Sequence, residues 1–426
     1  MLNLRKTIFL LGQKLRNPNM LKEYYKLKET EKSTIEELKL IQLQKLKRLL
    51  EDANHTPYYK KVFKNEKINI LDINSLDDLK KIPIITKSIL IKENDSIQNK
   101  KYNKRLMKSE TSGSTGESLK FYRNEYWDSV NRAAQLRGYS WYGVKPWEKN
   151  GYLWGYDFSF LKKLKTKILD FLVNRFRLFE YNEKKTMNFV KKCKKAKYLE
   201  GYSSMIHEVS KIANKNNIDL SNLKMVKGTS EQIFESYQKS ANKAFGKKII
   251  SEYGAAEAGI IAFECPHGNM HINMENVIVE EINNEILVTN LVSNSFPIIR
   301  YKLGDFVMIE EDHNCVCGMK HYVIKEIQGR VGEVIQGNIN KYPSLTLYYI
   351  FKNLSSKYDL LLNYQAIQCK IGEIELRLSK NITETEKHYL IKEVEKYFNK
   401  DLKVDISYKQ FIRSKNNKLR TFIQKL

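Results

Sequence analysis

The sequence is poor in cysteine, proline and glycine, with 5, 7 and 19 of them among 426 residues. Five cysteines in a chain of this length do not build a disulfide scaffold and point instead to a reducing compartment. So little proline and glycine excludes a collagenous chain. No apolar run approaches the ~18 residues needed to span a bilayer; the best one near the start is Ile8 to Leu11. Gln13, Lys14 and Arg16 interrupt that stretch and no small-residue cleavage site follows, so it does not read as a signal peptide. Acidic residues are outnumbered 49 to 74, giving a formal charge of +25. The excess is mostly lysine and is spread over the whole chain. It therefore reads as a solvated basic surface, and no nucleic-acid partner is expected, because readers of nucleic acid concentrate Arg and Lys on one element.

What is present is enough apolar residue, 42% with 11% aromatic, to fill more than one core. The first sixteen residues set Leu2, Leu4, Ile8, Phe9, Leu11 and Leu15 among Arg5, Lys6, Lys14 and Arg16, a pattern that suits a basic helix either resting on a membrane surface or docking on its own protein. From Ser33 a capping box with Glu36 opens an amphipathic helix whose Leu38, Ile41, Leu46, Leu49 and Leu50 share a face, stopping near Asn54-His55-Thr56-Pro57. All four tryptophans, Trp127, Trp141, Trp147 and Trp154, fall in one stretch and are expected in core and pocket wall.

From Lys197 short strands alternate with helices. Leu223 to Lys227 and Ile249 to Tyr253 read as strands around a Glu231 to Phe245 helix, an α/β signature. Beyond Met270 the text turns β-rich, and Asn276 to Glu281 pairs with Glu285 to Asn290 across Asn283-Asn284 as a hairpin. A last α+β unit places strands at Ala366 to Lys370, Ile374 to Leu378 and Lys403 to Tyr408 around a Thr383 to Phe398 helix. Glycine placement at Gly329-Arg330-Val331-Gly332 divides the chain into a large unit, 1–330, and a small one, 331–426.

The strongest local signal is Thr111-Ser112-Gly113-Ser114-Thr115-Gly116. Glycines let a backbone approach an anion, and successive N–H groups and hydroxyls can wrap phosphate oxygens, although no Gly-Lys-Ser/Thr of the Walker kind follows. Downstream come Tyr253-Gly254-Ala255-Ala256-Glu257, then Ile299-Arg300-Tyr301-Lys302-Leu303-Gly304-Asp305, then Gly329-Arg330, then Arg413-Ser414 with Lys418. In this order the set resembles the acyl-adenylate-forming (AMP-binding) superfamily, and within it the phenylacetate-CoA ligase-like branch with its capsular-polysaccharide adenylating enzymes. The resemblance takes in nearly the whole chain, including Asn54 to Tyr59 and Ile82-Pro83-Ile84-Ile85-Thr86-Lys87.

That resemblance implies a large multi-subdomain α/β adenylating domain with mixed sheets flanked by helices and a small mobile α+β lid. It implies an AMP-forming carboxylate ligase: a carboxylic acid attacks the α-phosphate of ATP, and the acyl group passes to coenzyme A or to an amine or hydroxyl acceptor, such as one on a surface-polysaccharide precursor. Ser112, Gly113, Ser114, Thr115 and Gly116 would hold the β and γ phosphates, and Glu257 a magnesium ion. Tyr253, beside Gly254, would stack on adenine near backbone from Gly228 to Glu231, Asp305 would accept the ribose hydroxyls, and Arg330 and Arg300 would meet the phosphate-bearing substrate. Lys418 would bridge carboxylate and α-phosphate; Asn417 stands where the family has glycine, and Lys415 remains the competitor. Tyr202, Ser203, Gly228 and Thr229 are pocket candidates for the acid. The alternative is a catalytically weakened relative acting as a binding or scaffold subunit. A cytoplasmic protein, at most peripheral at the inner membrane face, is expected, and a homodimer is admissible.

A separate constellation sits in Cys265-Pro266-His267-Gly268-Asn269-Met270-His271 and in Cys315-Val316-Cys317-Gly318. Three thiols and an imidazole form the ligand set of a closed tetrahedral zinc site, Cys265, His271, Cys315 and Cys317, which would pin a β-rich subdomain over about 262–328. His267 and His313 are the alternative nitrogens, while Cys193 and Cys369 read as packing residues.

Overall fold

The structure, a computed structural model, describes residues 4–111, 119–154, 160–178, 183–330, 334–413 and 419–426. Local signals start its elements. The helix Ile35–Asn54 opens on a reciprocal capping box, with Glu37 N donating to Thr34 Oγ1 at 3.2 Å and Thr34 N to Glu37 Oε2 at 2.9 Å. The expected box one residue earlier is not formed, because Ser33 N already donates to the Thr30 carbonyl and closes the preceding turn. Leu38, Leu46, Leu49 and Leu50 of this helix are buried. Thr56 then caps the next helix, Pro57–Asn65, whose proline occupies the first turn, where no N–H is missed.

Strands β1 (Met107–Glu110) and β2 (Lys120–Arg123) pair antiparallel. The main sheet takes β3 (Asn150–Leu153), β4 (Arg175–Arg177), β5 (Tyr198–Tyr202), β6 (Met225–Thr229) and β7 (Ile250–Ala255), all parallel. It continues antiparallel through β8 (Gly259–Glu264), β9 (Met270–Ile272), β10 (Val277–Ile282), β11 (Glu285–Asn290), β12 (Tyr301–Glu310) and β13 (Val323–Arg330). Among the described residues the order is β10-β11-β12-β13-β9-β8-β7-β6-β5-β3-β4, an eleven-stranded mixed sheet. The chain leaves β3 toward β4 and returns past β3 to β5, so its direction of winding reverses between β3 and β5. In open α/β sheets such a reversal opens a crevice at the carboxyl ends of the strands.

The β10–β11 hairpin forms as its sequence predicts. Ile282 opposes Glu285, and Asn283 and Asn284 both take positive φ, 53° and 64°, as the two-residue turn that fits twisted strands requires.

The C-terminal residues form β14 (Val334–Gln336), β15 (Lys341–Pro343), β16 (Tyr364–Lys370), β17 (Glu373–Leu378), β18 (Lys403–Ser407) and β19 (Phe422–Gln424). The last four make a sheet in the order β18-β17-β16-β19, packed by the helices Leu345–Tyr358 and Glu384–Phe398 around Leu347, Ile350, Leu354, Leu376, Leu390 and Phe398. The architecture is thus α/β with a large mixed sheet flanked by helices, followed by a small α+β unit with its own core. Residues 331–333, where the sequence suggests a hinge, lie outside the described residues.

Candidate active site

Among the described residues, Tyr253, Asp305 and Arg330 of the sequence motifs meet near the carboxyl end of β7. β7 ends in Tyr253-Gly254-Ala255, and a Cβ on Gly254 would sit 2.3 Å from the Gly259 carbonyl, so only glycine lets β7 and β8 meet here. The Tyr253 hydroxyl donates to Asp305 Oδ2 at 2.7 Å. Asp305 opposes Arg330 in the β12–β13 register, which brings the expected adenine, ribose and phosphate residues to one place. Glu257 follows β7; its carboxylate is buried and accepts from the Tyr301 hydroxyl at 2.9 Å. One fixed carboxylate with free lone pairs suits a magnesium ion whose other ligands are phosphate oxygens and water.

Glu231 lies two residues beyond β6. Its Oε2 accepts from Ser204 N at 2.9 Å, at the start of the helix Ser203–Lys215, and its Oε1 accepts from Leu419 N at 2.5 Å. Burial raises the Glu231 pKa against these hydrogen bonds and against Arg413. Arg413 Nη1 donates to Ser204 Oγ at 2.8 Å, and Arg413 and Leu419 form an antiparallel bridge. Both ends of the 414–418 segment are therefore tied to the ends of β5 and β6. Lys415 and Lys418 lie outside the described residues, as do Ser112, Gly113, Ser114, Thr115 and Gly116. The described residues on either side of the latter are joined, Thr111 N donating to the Leu119 carbonyl at 2.9 Å and Leu119 N to Thr111 Oγ1 at 3.0 Å.

Arg300 does not face this site. Its guanidinium grips Glu280 with Nε and Nη2, at 3.1 and 2.9 Å, and Nη1 donates to the carbonyls of Lys80 and Ile82 at 3.0 and 2.7 Å. The catalytic contact expected of Arg300 is corrected to a structural one: it is buried and pins the Ile82–Ile85 segment, where Ile85 N donates to the Arg300 carbonyl.

A cavity of about 290 Å³ opens at the winding reversal, bounded by Trp154, Gly201, Lys227, Thr229 and Glu252. Trp154 stacks on Tyr202 at 4.6 Å, so three sequence candidates, Trp154, Tyr202 and Thr229, do meet. The sequence reading missed the charged floor. Lys227 Nζ lies 2.7 Å from Glu252 and 3.4 Å from Glu200, and Arg175 Nη2 lies 2.8 Å from the other Glu200 oxygen. Burial would raise the Glu200 pKa, but Lys227 and Arg175 outweigh it and hold the carboxyl below its usual range. The signal was available: buried parallel strands are near-continuous apolar runs, and Tyr198–Tyr202 and Met225–Thr229 each carry a charge at their centre.

The thiol and imidazole cluster also assembles. Cys265, His271, Cys315 and Cys317 hold their ligand atoms within 4.8 Å of one another. The thiols are free; Cys265 Sγ to Cys315 Sγ is 3.8 Å and Cys317 Sγ to His271 Nε2 is 3.3 Å, distances that approximate the edges of a tetrahedron with bonds of about 2.0–2.3 Å. His271 Nδ1 lies 3.4 Å from the His321 carbonyl, leaving Nε2 for a metal, and burial lowers His271 to about 4, which keeps the ring neutral. Burial pushes the Cys317 thiol up to about 12, a cost that a dication would offset. His267 is exposed and His313 pairs with Glu310 at 2.7 Å, so neither alternative nitrogen joins the set.

No family model matches the chain. Protein CapK of Staphylococcus aureus is 28% identical over 300 residues, 66% of this chain and 65% of CapK, so the match spans just under two thirds of that relative. Among solved structures, 2-hydroxyisobutyryl-CoA ligase in its postadenylation state with 2-HIB-AMP superposes with a TM-score of 0.70 at 16% identity, covering 92% of this chain and 91% of that one. The same ligase in the thioesterification state, with 2-HIB-AMP and CoA, gives 0.61 at 17% identity over 92% and 91% of the two chains. An anthranilate CoA ligase in complex with anthranoyl-AMP gives 0.51 at 12% identity over 76% and 66%. The chain has the fold of these acyl-CoA ligases.

Proposed function

We propose that the protein is an ATP- and Mg2+-dependent ligase that activates a carboxylic acid as its acyl-adenylate and passes the acyl group to coenzyme A or to an amine or hydroxyl acceptor. The observation that carries this reading is the meeting of Tyr253, Asp305 and the Arg330 backbone beside Glu257 and the Glu231–Leu419 link, in a fold shared with acyl-CoA ligases. In the first step an oxygen of the carboxylate bonds to the α-phosphorus and pyrophosphate leaves. In the second, the acceptor attacks the acyl carbon, loses its proton and expels AMP. Neither step demands a strong protein base, so positioning and charge neutralisation dominate. The Tyr253 ring would stack on adenine while Asp305 accepts ribose hydroxyls. Glu257 would hold Mg2+, which supplies charge neutralisation to the phosphates. Lys418, or Lys415 in the alternative register, would approach from the tethered 414–418 segment, and residues 331–426 would act as the lid.

The cavity refines the acid. Its volume is at the small end of ligand sites, which run from about 300 Å³, and its floor of paired charges replaces the apolar lining such sites usually have. This supports a small polar acid over an aryl or fatty one. The likeness to CapK supports a place in surface-polysaccharide assembly.

Pyrophosphate exchange tests the reading. Label from pyrophosphate should enter ATP only with a supporting acid from a panel of hydroxy, amino, aryl and fatty acids, and Asp305→Ala should abolish it. No exchange with any acid, together with equal ATP binding by wild type and Asp305→Ala, would remove the ligase assignment.

A further inference from the structure

We propose that the helices Leu4–Arg16 and Phe160–Leu172 together form a surface that seats the protein on an anionic lipid bilayer. An amphipathic helix on a globular protein normally turns its apolar stripe inward. Phe160–Leu172 is mounted the other way round. Asp170 is only 6% exposed, its carboxylate held by Arg177 Nε and Nη2 at 2.9 and 3.0 Å, whereas Ile168 and Phe171 are 57% and 65% exposed and Leu164, Leu169 and Leu172 also face out. The polar edge is thus fastened to the body and the apolar edge is presented to the surroundings.

Leu4–Arg16 is anchored by an apolar residue instead, yet it also leaves leucines outside. Phe9 packs inward against Trp147, with ring centroids 6.0 Å apart, while Leu4 and Leu15 are 70% and 80% exposed and Leu11 lies on the same outer face. The two helices are joined: Arg5 Nη1 donates to the Phe171 carbonyl at 2.8 Å, and its guanidinium carbon sits 4.8 Å from the centre of the Phe171 ring. Phe171, on the exposed apolar face of one helix, is thus in contact with the other, so the two sets of exposed apolar side chains flank one junction and would be costly to leave in water.

Charge identifies the occupant. Leu4–Arg16 contains Arg5, Lys6, Lys14 and Arg16 and no acidic residue. Phe160–Leu172 contains Lys162, Lys163, Lys165 and Lys167, and its single acid, Asp170, is turned inward. A second copy of the chain would set the same positive charge against itself, whereas an anionic lipid surface neutralises it while its acyl boundary takes the leucines, isoleucine and phenylalanine. Among the described residues no helix is long and apolar enough to cross a membrane, so the pair lies on the bilayer rather than through it.

Flotation of the full chain with vesicles is the test. The protein should float with phosphatidylcholine vesicles containing phosphatidylglycerol and stay behind with phosphatidylcholine alone, and binding should weaken by about tenfold or more as salt is raised. Leu15→Glu combined with Ile168→Glu and Phe171→Glu should reduce binding by at least about tenfold, while Leu40→Glu, at a leucine about as exposed as Ile168 but on the Ile35–Asn54 helix, should not. Should the triple variant not fold, Lys165→Glu with Lys167→Glu, both at exposed positions, carries the same expectation. No flotation of the wild type, unaltered flotation of the variants, or a wild-type dimer that they convert to monomer would each overturn the proposal.

Discussion

The backbone amide of Leu419 donates to the Glu231 carboxylate at 2.5 Å across 188 residues of sequence. One side chain just beyond β6 thereby holds both the start of the helix Ser203–Lys215 and Leu419, which follows Lys415 and Lys418 in the chain. The tie is a charge-assisted hydrogen bond in a buried setting, a kind worth about 1.5–3 kcal/mol.

Glu231→Ala should release Leu419. Hydrogen exchange at the Leu419 amide is the direct measurement, and its protection should fall by about tenfold or more. Pyrophosphate exchange should fall with it, whereas ATP affinity, which the proposed function assigns to Tyr253 and Asp305, should change little. Unchanged Leu419 protection would show that the segment is held by Arg413–Ser204 alone.

Arg300→Ala tests the corrected role of that arginine. Removing the guanidinium leaves Glu280 without its bidentate partner and strands the carbonyls of Lys80 and Ile82. Breaking a largely buried pair costs about 3 kcal/mol or more, so the urea midpoint should drop sharply while the folded fraction keeps its ATP affinity. A large loss of ATP affinity with no loss of stability would restore Arg300 to the substrate.

The Cys/His cluster should bind one zinc per chain, read by metal analysis of protein purified without chelator. Cys315→Ser with Cys317→Ser should abolish it and lower the unfolding temperature, because the metal would tie the Cys265–His271 turn to the Cys315–Cys317 turn. His313→Ala should leave the metal content unchanged.

His207 supplies a pH dependence. It is buried against Tyr237, with ring centroids 4.3 Å apart, and burial, helped by Lys211, lowers its pKa from 6.5 to about 3. The unfolded chain takes up a proton below pH 6.5 that the folded chain refuses, so the contribution of His207 is to lower stability as pH falls through the window from about 6.5 to about 3. The slope approaches about 1.4 kcal/mol per pH unit well inside the window. His207→Phe keeps the stack without the proton uptake, and its unfolding temperature should fall less than that of the wild type between neutral and mildly acid pH.

The readings that survived contact with the structure were set by short-range geometry. Asn283-Asn284 encodes its turn because asparagine tolerates the positive φ that both positions adopt, and Thr383 with Glu386 encodes a helix start because two side chains satisfy two backbone amides within four residues. Where a local signal erred, as at Ser33, a neighbouring backbone hydrogen bond had already used the group. The order of the nucleotide motifs was legible for the same reason. Tyr253-Gly254-Ala255, for example, is a strand end followed directly by a turn, so the chain advertises it in a few consecutive residues.

Direction and distant partnership were not legible. Nothing in Ile299-Arg300-Tyr301 says that the guanidinium turns away from the cavity, since that depends on Glu280 arriving from a strand two places across the sheet. In the floor, the charges at the centres of Tyr198–Tyr202 and Met225–Thr229 were legible but their partners were not, because Arg175, Glu200, Lys227 and Glu252 come from four strands and become one charge network only in the assembled sheet. The helical periodicity of Phe160–Leu172 is plain in its letters, but periodicity specifies that a helix has two faces, not which one meets the protein. That choice was made by Arg177 capturing Asp170, a contact whose energy exists only once β4 and the helix are in place.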